Sequence, residues 1–278
     1  LVALLLFALW LTRLILGAVQ RHAEQWLGGM LDWSRRHRRL GKFGAALADS
    51  EQPETPVLAA LALVLALLSA LVLALISGPE PLPLDVAVYQ ELRELHTPWT
   101  LALAQSLLAW GQWPVYAPVA AVGMLTLFLR RHPRAAAHAL AALLFGAAIT
   151  LGLYLIRTLP PPHALLGGLD PGAGAARDQV LSTITYAFIP VLLARQRSAS
   201  HSVIFYSAAV TLLLLLSAAQ LYTGAQWFSL TVFSLSVGVV WTTLLGVGYR
   251  RHRPERISQR AYLIPVLGAF LIASGLHW

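Results

Sequence analysis

Three basic side chains in one polar region of the sequence could together bind an anionic group. Arg157, His163 and Arg177 flank a run of three prolines and a glycine-rich stretch. Arginine and protonated histidine donate charge-assisted hydrogen bonds to phosphate oxygens, so the three side chains are a candidate site for an anionic lipid headgroup. The alternative, which the residue types alone favour, is that they are ordinary interfacial arginines and a loop histidine.

A second polar segment reads Leu-Tyr-Thr-Gly-Ala-Gln-Trp over residues 221–227. It is similar to the Leu-Tyr-x-Gly-x-His-Trp of the type 2 phosphatidic acid phosphatase superfamily, membrane enzymes that remove phosphate from lipid phosphates. Residues 181–186 and 192–195 resemble the span after that family's second motif, and the prolines at 160–162 stand where it has an Arg-Pro pair. The resemblance covers residues 57–248 and implies a six-helix core with its site at the outer face.

The resemblance assigns the family's catalytic positions to residues of different chemistry in this chain. Its phosphate-binding cations, its two catalytic histidines and its orienting carboxylate correspond here to Tyr154, Pro161, Asp178, Gln220, Gln226 and Leu230, and the proline of its Arg-Pro pair corresponds to Pro162. The family's mechanism needs a neutral imidazole to attack phosphorus, and the amide of Gln226 has no usable nucleophilic nitrogen. Losing a single group that stabilises the transition-state charge typically costs ~10²–10³-fold in rate. We therefore predict no catalytic residues at these positions.

These replacements predict a catalytically degenerate lipid-phosphatase-like domain that serves as a scaffold or binds anionic lipid headgroups at the outer face. Two alternatives stay open. One is an active lipid phosphate or undecaprenyl pyrophosphate phosphatase with non-standard catalytic residues, and the other is a lipid-translocating or transport component. Apart from Arg13, the apolar segments carry almost no ionisable side chains, which counts against ion-coupled transport. The expected partners are membrane lipids, including anionic lipids or a polyprenyl phosphate.

The elements that must position these residues are membrane-spanning helices. The chain is 58% hydrophobic and 12% charged, whereas soluble domains carry about 25% charged residues, and its mean hydropathy is +0.67. A span needs about 20 apolar residues. The segments that meet or approach this length are 2–20, 57–77, 100–129, 135–156, 179–194, 203–219, 227–248 and 261–277. We predict an all-α, polytopic membrane helix bundle of about eight spans.

Two of these segments depart from a simple span. Residues 100–129 are too long for one straight helix at ~1.5 Å per residue, and the Gly-Gln-Trp-Pro sequence at 111–114 predicts a break or kink there. Residues 179–194 are short and include Ser182, Thr183 and Tyr186. This segment is therefore expected to face protein rather than lipid.

The distribution of charge predicts the orientation of the bundle. All of the 20 basic residues except Arg13, Arg93, Arg157 and Arg177 lie in alternate loops, at 21–56, 130–134, 195–202 and 249–260. By the positive-inside rule these loops are cytoplasmic, and the loops that carry the family-like motifs are outside. The formal charge of +8 is thus explained by topology, and nucleic-acid binding is not expected.

The predicted domains follow from the same segments. Residues 1–20 are interpreted as a transmembrane helix at the tail of a preceding membrane domain, and residues 21–56 as a basic cytoplasmic linker. Residues 57–248 form the lipid-phosphatase-like domain, and residues 249–278 form a basic loop and a last transmembrane helix. The arrangement resembles bacterial fusions of this domain behind a DedA-like membrane domain, which implies the bacterial inner membrane and flanking membrane domains as partners.

Metal and thiol chemistry find little support in the residues. There is no cysteine, which excludes disulfides. Asp85, Glu91 and Glu94 could resemble a carboxylate site, but no histidine or cysteine stands near them at ligand spacing, and Glu91 and Glu94 flank Arg93 in what we expect to be a solvated loop. We predict neither a metal nor a cofactor.

Overall fold

A computed structural model describes residues 54–75, 80–156, 160–167, 179–193, 199–250, 255 and 257–277. Within these ranges all regular structure is helical. The helices are α1 (Glu54–Leu75), α2 (Pro83–Glu94), α3 (Pro98–Trp110), α4 (Trp113–Leu129), α5 (Pro133–Ile156), α6 (Pro162–Leu166), α7 (Gln179–Leu193), α8 (Ala199–Tyr222), α9 (Phe228–Arg250) and α10 (Gln259–Leu276). The predicted first span and basic linker, up to residue 53, lie outside the described residues.

Five helical segments in the described part of the chain are long and apolar enough to cross a membrane: α3 and α4 taken together, α5, α8, α9 and α10. Two shorter apolar helices cover Ala62–Ala74 and Gln179–Leu193. The all-α class is therefore confirmed, and the chain is an integral membrane protein. The total of eight spans and the six-helix core stay predictions.

The predicted break in the third apolar segment is confirmed. Helix α3 ends at Trp110, and Gln112 has an extended backbone, with φ −86° and ψ 154°. Pro114 lies in the first turn of α4, where its missing amide hydrogen leaves no bond unmade. A helix that ends before this proline and restarts around it loses no internal hydrogen bond, whereas a continuous helix would lose one.

The short segment at 179–193 faces protein, as its polar side chains predicted, and it lies at the centre of the described bundle. Helix α7 packs against α4, α5, α8 and α9. Twelve of its 15 residues are buried. Because the helix is surrounded by protein, it can carry serine and threonine side chains that would be costly against lipid.

Helices α7 and α9 run parallel in close contact. A Cβ atom added to Gly238 would lie 2.6 Å from Cγ2 of Thr183, and one added to Gly246 would lie 3.1 Å from Cγ1 of Val191. Both pairs differ by the same number of residues, so the two helices keep one register over two turns. Small residues at such contacts let helix backbones approach closely in membranes.

Candidate polar site at one end of the bundle

The segment with the family-like sequence forms a tight turn between α8 and α9. Gly224 has a φ of +67°, the left-handed region that glycine adopts without steric cost. The amide of Gly224 donates to the Leu221 carbonyl at 3.1 Å, and that of Ala225 donates to the Gln220 carbonyl at 2.9 Å. This pair of bonds is the Schellman motif that ends many helices. The glycine of the motif is thus explained by backbone geometry.

The triple-proline loop packs on this turn. The indole Nε1 of Trp227 donates to the Pro160 carbonyl at 2.9 Å. The backbone amide of His163 donates to the Gly224 carbonyl at 3.3 Å, and its ring Nδ1 contacts the same oxygen at 2.9 Å. A carbonyl can only accept, so Nδ1 carries the proton. Two segments that are over 60 residues apart in the chain are therefore held together at one end of the bundle.

Helix α2 covers the turn from the other side. The hydroxyl of Tyr89 donates to the Gly167 carbonyl at 2.6 Å, and a Cβ atom at Gly224 would lie 2.5 Å from the Tyr89 ring. Burial raises the pKa of Tyr89 above its ordinary value of 10.0, and the positive charge of Arg93 lowers it in part. Arg93 also donates to the Leu166 carbonyl at 3.3 Å. Glu91, Arg93 and Glu94 were expected to lie in a solvated loop; they are exposed, but they lie on helix α2.

Asp85 has a structural role that the sequence did not reveal. Its side chain is 2% exposed, and its carboxylate accepts from the Ser229 amide at 2.7 Å and from the Ser229 hydroxyl at 2.6 Å. Ser229 lies in the first turn of α9, where a carboxylate satisfies free amides and is stabilised by the helix dipole. In the described part of the chain no cluster of acidic and histidine side chains could hold a metal ion.

Three buried glutamines come from three elements, namely α7, the end of α8 and the turn itself. Gln179, Gln220 and Gln226 are 2%, 1% and 2% exposed. The amide of Gln179 donates to the Ser217 hydroxyl at 2.9 Å, one turn before Gln220 on α8. The amide of Gln226 donates to the Ser234 hydroxyl at 3.3 Å. We call Gln179, Ser217, Gln220, Gln226 and Ser234 the glutamine cluster.

The register of α7 and α9 places the Gln179–Ser217 and Gln226–Ser234 hydrogen bonds at the same level in the bundle. Thr183 faces Gly238 across the contact of α7 with α9. One turn earlier on these parallel helices stand Gln179 and Ser234. Gln226 aligns with the nucleophile of the resembling family. Its hydrogen bond to Ser234 therefore lies at the level of the first residue of α7.

The glutamine cluster is neutral and closed. Among the described residues, the side-chain oxygens of Gln179, Gln220 and Gln226 have no hydrogen-bond partner and almost no accessible surface. The Ser217 hydroxyl donates to the Leu213 carbonyl at 2.8 Å, so it can only accept from Gln179. This fixes the Gln179 amide nitrogen toward Ser217 and leaves its oxygen unbonded. Amides and hydroxyls in this arrangement supply neither a nucleophile nor a compensating cation for phosphoryl transfer.

The other sequence-predicted site residues divide into three groups. Pro161 and Pro162 lie in the loop that packs on the turn, and Pro162 is buried. Tyr154 is 58% exposed on α5, and Leu230 is half-buried on α9. The predicted headgroup ligands Arg157 and Arg177 and the second-motif position Asp178 lie outside the described residues.

No protein-family model matches this chain, and no curated protein or solved structure shows significant similarity to it. The resemblance to lipid phosphatases therefore stays a prediction from the motif residues.

Proposed function

We propose that this chain is a catalytically degenerate lipid-phosphatase-like membrane domain whose outer end serves as a scaffold. The observation that carries the proposal is the state of Gln226. This residue stands where the family-like motif has its nucleophilic histidine, yet it is buried and its amide is hydrogen-bonded within the protein to Ser234. A position that reacts with a lipid phosphate must be open to that phosphate, and this one is closed.

The packing of the two family-like segments supports the proposal that the chain keeps the family's arrangement of segments without its catalytic groups. The Trp227–Pro160 and His163–Gly224 bonds join the two segments that correspond to the family's first and third motifs. In both bonds the acceptor is a backbone carbonyl of the protein itself. The side chains of Trp227 and His163 are thus used to join the two segments, whereas a catalytic site needs side chains that contact the substrate. The same contacts favour scaffolding over headgroup binding for His163, because its Nδ1 is already bonded to the chain.

The orientation and the cellular setting belong to the same proposal. We place the arginine-rich loops in the cytoplasm and the glutamine cluster near the outer face of a bacterial inner membrane, on the strength of the alternating charge of the loops. The chain would act beside flanking membrane domains such as a DedA-like partner. Cysteine-scanning with a membrane-impermeant maleimide at exposed loop positions would test this orientation.

A direct assay tests the loss of activity. Purified protein is incubated with phosphatidate and with undecaprenyl pyrophosphate, and released phosphate is measured against a heat-inactivated sample. We expect no release above that background. Release that is abolished by Gln226→Ala or Arg177→Ala, but kept by the exposed-site control Gln90→Ala, would overturn the proposal in favour of an active phosphatase with non-standard residues.

A restored variant and a binding measurement complete the test. The combined substitutions Tyr154→Lys, Pro161→Arg, Gln226→His and Leu230→Asp would return family-like groups to this site, and phosphate release by this variant would support the lipid-phosphatase architecture. For headgroup binding, the Arg157→Ala, Arg177→Ala double variant is compared with the wild type by native mass spectrometry. Equal retention of anionic lipid by the two proteins would exclude headgroup binding by these arginines and leave scaffolding as the only proposed role.

A further inference from the structure

A cavity of about 260 Å³ opens at the end of the bundle opposite to the glutamine cluster. Helices α4 and α10 pack antiparallel, since Gly123 in the second half of α4 contacts Tyr262 in the first turn of α10, and His277 after the end of α10 bonds Gln112 before the start of α4 at 2.9 Å. The cavity lies at their other ends, where α4 finishes and α10 begins. It is therefore independent of the proposed function.

The lining of this cavity is amphipathic. Arg130, His132 and Ser258 carry its polar groups, and Leu127, Ile257 and Tyr262 line its apolar part. The three apolar side chains are 1%, 3% and 6% exposed, respectively. Such a cavity at the end of membrane-spanning helices suits a ligand with a charged head and an apolar continuation.

The cavity is basic because Arg130 lines it, whereas the neighbouring carboxylate of Glu255 does not line it and is bonded to the start of α5. The two oxygens of Glu255 accept from the backbone amides of Arg134 and Ala135, each at 3.1 Å, and so cap the first turn of α5. His132 Nδ1 lies 4.0 Å from Glu255. Among the described residues, the guanidinium of Arg130 has neither a carboxylate nor a hydrogen-bond partner.

We propose that this cavity binds a phosphate-bearing anion, with Arg130 as the principal charged ligand and the Ser258 hydroxyl as a second donor. Guanidinium is the side chain best suited to two-point recognition of phosphate oxygens. The ligand is either the headgroup of an anionic membrane lipid, whose first acyl carbons would contact the apolar lining, or free inorganic phosphate. Basic pockets between helices at a membrane surface bind such headgroups.

The lipid source is tested by native mass spectrometry of the whole chain in detergent. Phosphatidylglycerol and phosphatidylcholine with the same acyl chains are titrated onto the wild type, Arg130→Gln, Ala261→Phe and Arg260→Gln. Ala261 lines the cavity, so its replacement fills the space without changing charge, whereas Arg260 is exposed on α10 and does not line it. We expect preferential retention of phosphatidylglycerol, about tenfold weaker in the first two variants and unchanged in Arg260→Gln.

The free-phosphate source is tested on the same proteins by thermal unfolding. Inorganic phosphate is compared with chloride at equal ionic strength, since a ligand that binds only the folded state raises the melting temperature. A phosphate-specific rise that is lost in Arg130→Gln, without any lipid preference, supports the proposal with free phosphate as the ligand. Equal losses in Arg130→Gln and Arg260→Gln, or no Arg130-dependent binding of either ligand, would overturn it. The melting temperature without ligand shows that each variant is folded.

Discussion

The carboxylate of Asp85 on α2 caps helix α9 through two hydrogen bonds to Ser229, a residue 144 positions later in the chain. One bond goes to the backbone amide and the other to the hydroxyl, so both carboxylate oxygens are used. This contact fixes a short amphipathic helix outside the long apolar segments onto the first turn of a spanning helix. Together with the Tyr89–Gly167 bond, it holds α2 as the cover over the Gly224 turn.

Removing the charge at Asp85 is expected to destabilise the end of the bundle that carries the Gly224 turn. Asp85→Asn keeps one acceptor but loses the charge and the second acceptor, and should lower the free energy of unfolding by about 1–3 kcal/mol. Thermal unfolding in detergent measures the effect. The control Glu91→Gln removes an exposed charge from the same helix and should leave stability unchanged. Equal effects of the two substitutions would contradict the capping role.

Gly224→Ala should be among the most damaging single-methyl additions in the chain. The left-handed backbone disfavours alanine by ~1–2 kcal/mol, and the added Cβ would meet the Tyr89 ring at 2.5 Å. We expect a lower melting temperature and faster proteolysis of residues 160–167. Gly268→Ala is the matched control, since nothing lies within 4 Å of its Cβ position; a similar loss there would show that the turn is not special.

The substitution Trp227→Phe removes the bond between Trp227 and Pro160. It keeps a smaller aromatic ring in the buried site but deletes the indole donor, leaving the Pro160 carbonyl without this partner. A loss of about 2–3 kcal/mol in the free energy of unfolding is expected, from the lost hydrogen bond and from the space left by the smaller ring. Hydrogen exchange of the 160–167 loop should increase, while exchange in α5 stays unchanged. Unaltered exchange in the loop would mean that other contacts hold it.

Replacing Gln220 and replacing Gln179 should have different effects on the free energy of unfolding. The Gln220 side chain has no hydrogen bond within the described residues, so Gln220→Met removes a buried unbonded oxygen. Gln179→Met also breaks the bond to Ser217. We expect Gln220→Met to be the more stable of the two variants by about 1 kcal/mol, measured by thermal unfolding. The reverse order would indicate that Gln220 receives a donor from water or from another part of the chain.

Alkaline pH should weaken the contact of α2 with the loop at 160–167. The pKa of Tyr89 is raised in the folded protein above its ordinary value of 10.0, so the folded state keeps this proton longer than the unfolded chain does. The stabilisation is complete below about pH 10 and is lost as the pH rises through the folded-state pKa. Wild-type protein should therefore lose more stability above about pH 10 than Tyr89→Phe, which has nothing to titrate at this position. Parallel pH profiles of the two proteins would contradict this assignment.

The sequence predicted the long apolar helices of the described part of the chain because their signals are local. A run of apolar residues is sufficient to indicate a spanning helix, and the Gly-Gln-Trp-Pro sequence at 111–114 is sufficient to indicate the break between α3 and α4. The polar side chains of α7 likewise indicated a helix surrounded by protein. Each of these features depends on residues close together in the chain, so no knowledge of the tertiary contacts is needed.

The partners of the site could not be predicted in the same way. Nothing near Asp85 in the sequence indicates that it caps a helix beginning at Phe228, and its neighbours Glu91 and Glu94 suggested a solvated loop. The pairing of Gln179 with Ser217 also depends on how α7 and α8 pack. A polar residue at the start of the apolar segment 179–194 was the available signal, but it does not name the residue it contacts.

The two close contacts between α7 and α9 restrict how this bundle can move. Thr183 and Val191 fit against Gly238 and Gly246 two turns apart, so sliding or rotating one helix against the other would bring side chains onto backbone at both places. The contact between α7 and α9 is thus closely fitted at both levels. Helix α2 and the segment at residues 160–167 are held in part by the hydrogen bonds of Asp85, Tyr89 and Trp227, so we expect movement at the Gly224 turn to begin with these two segments rather than with α7 or α9.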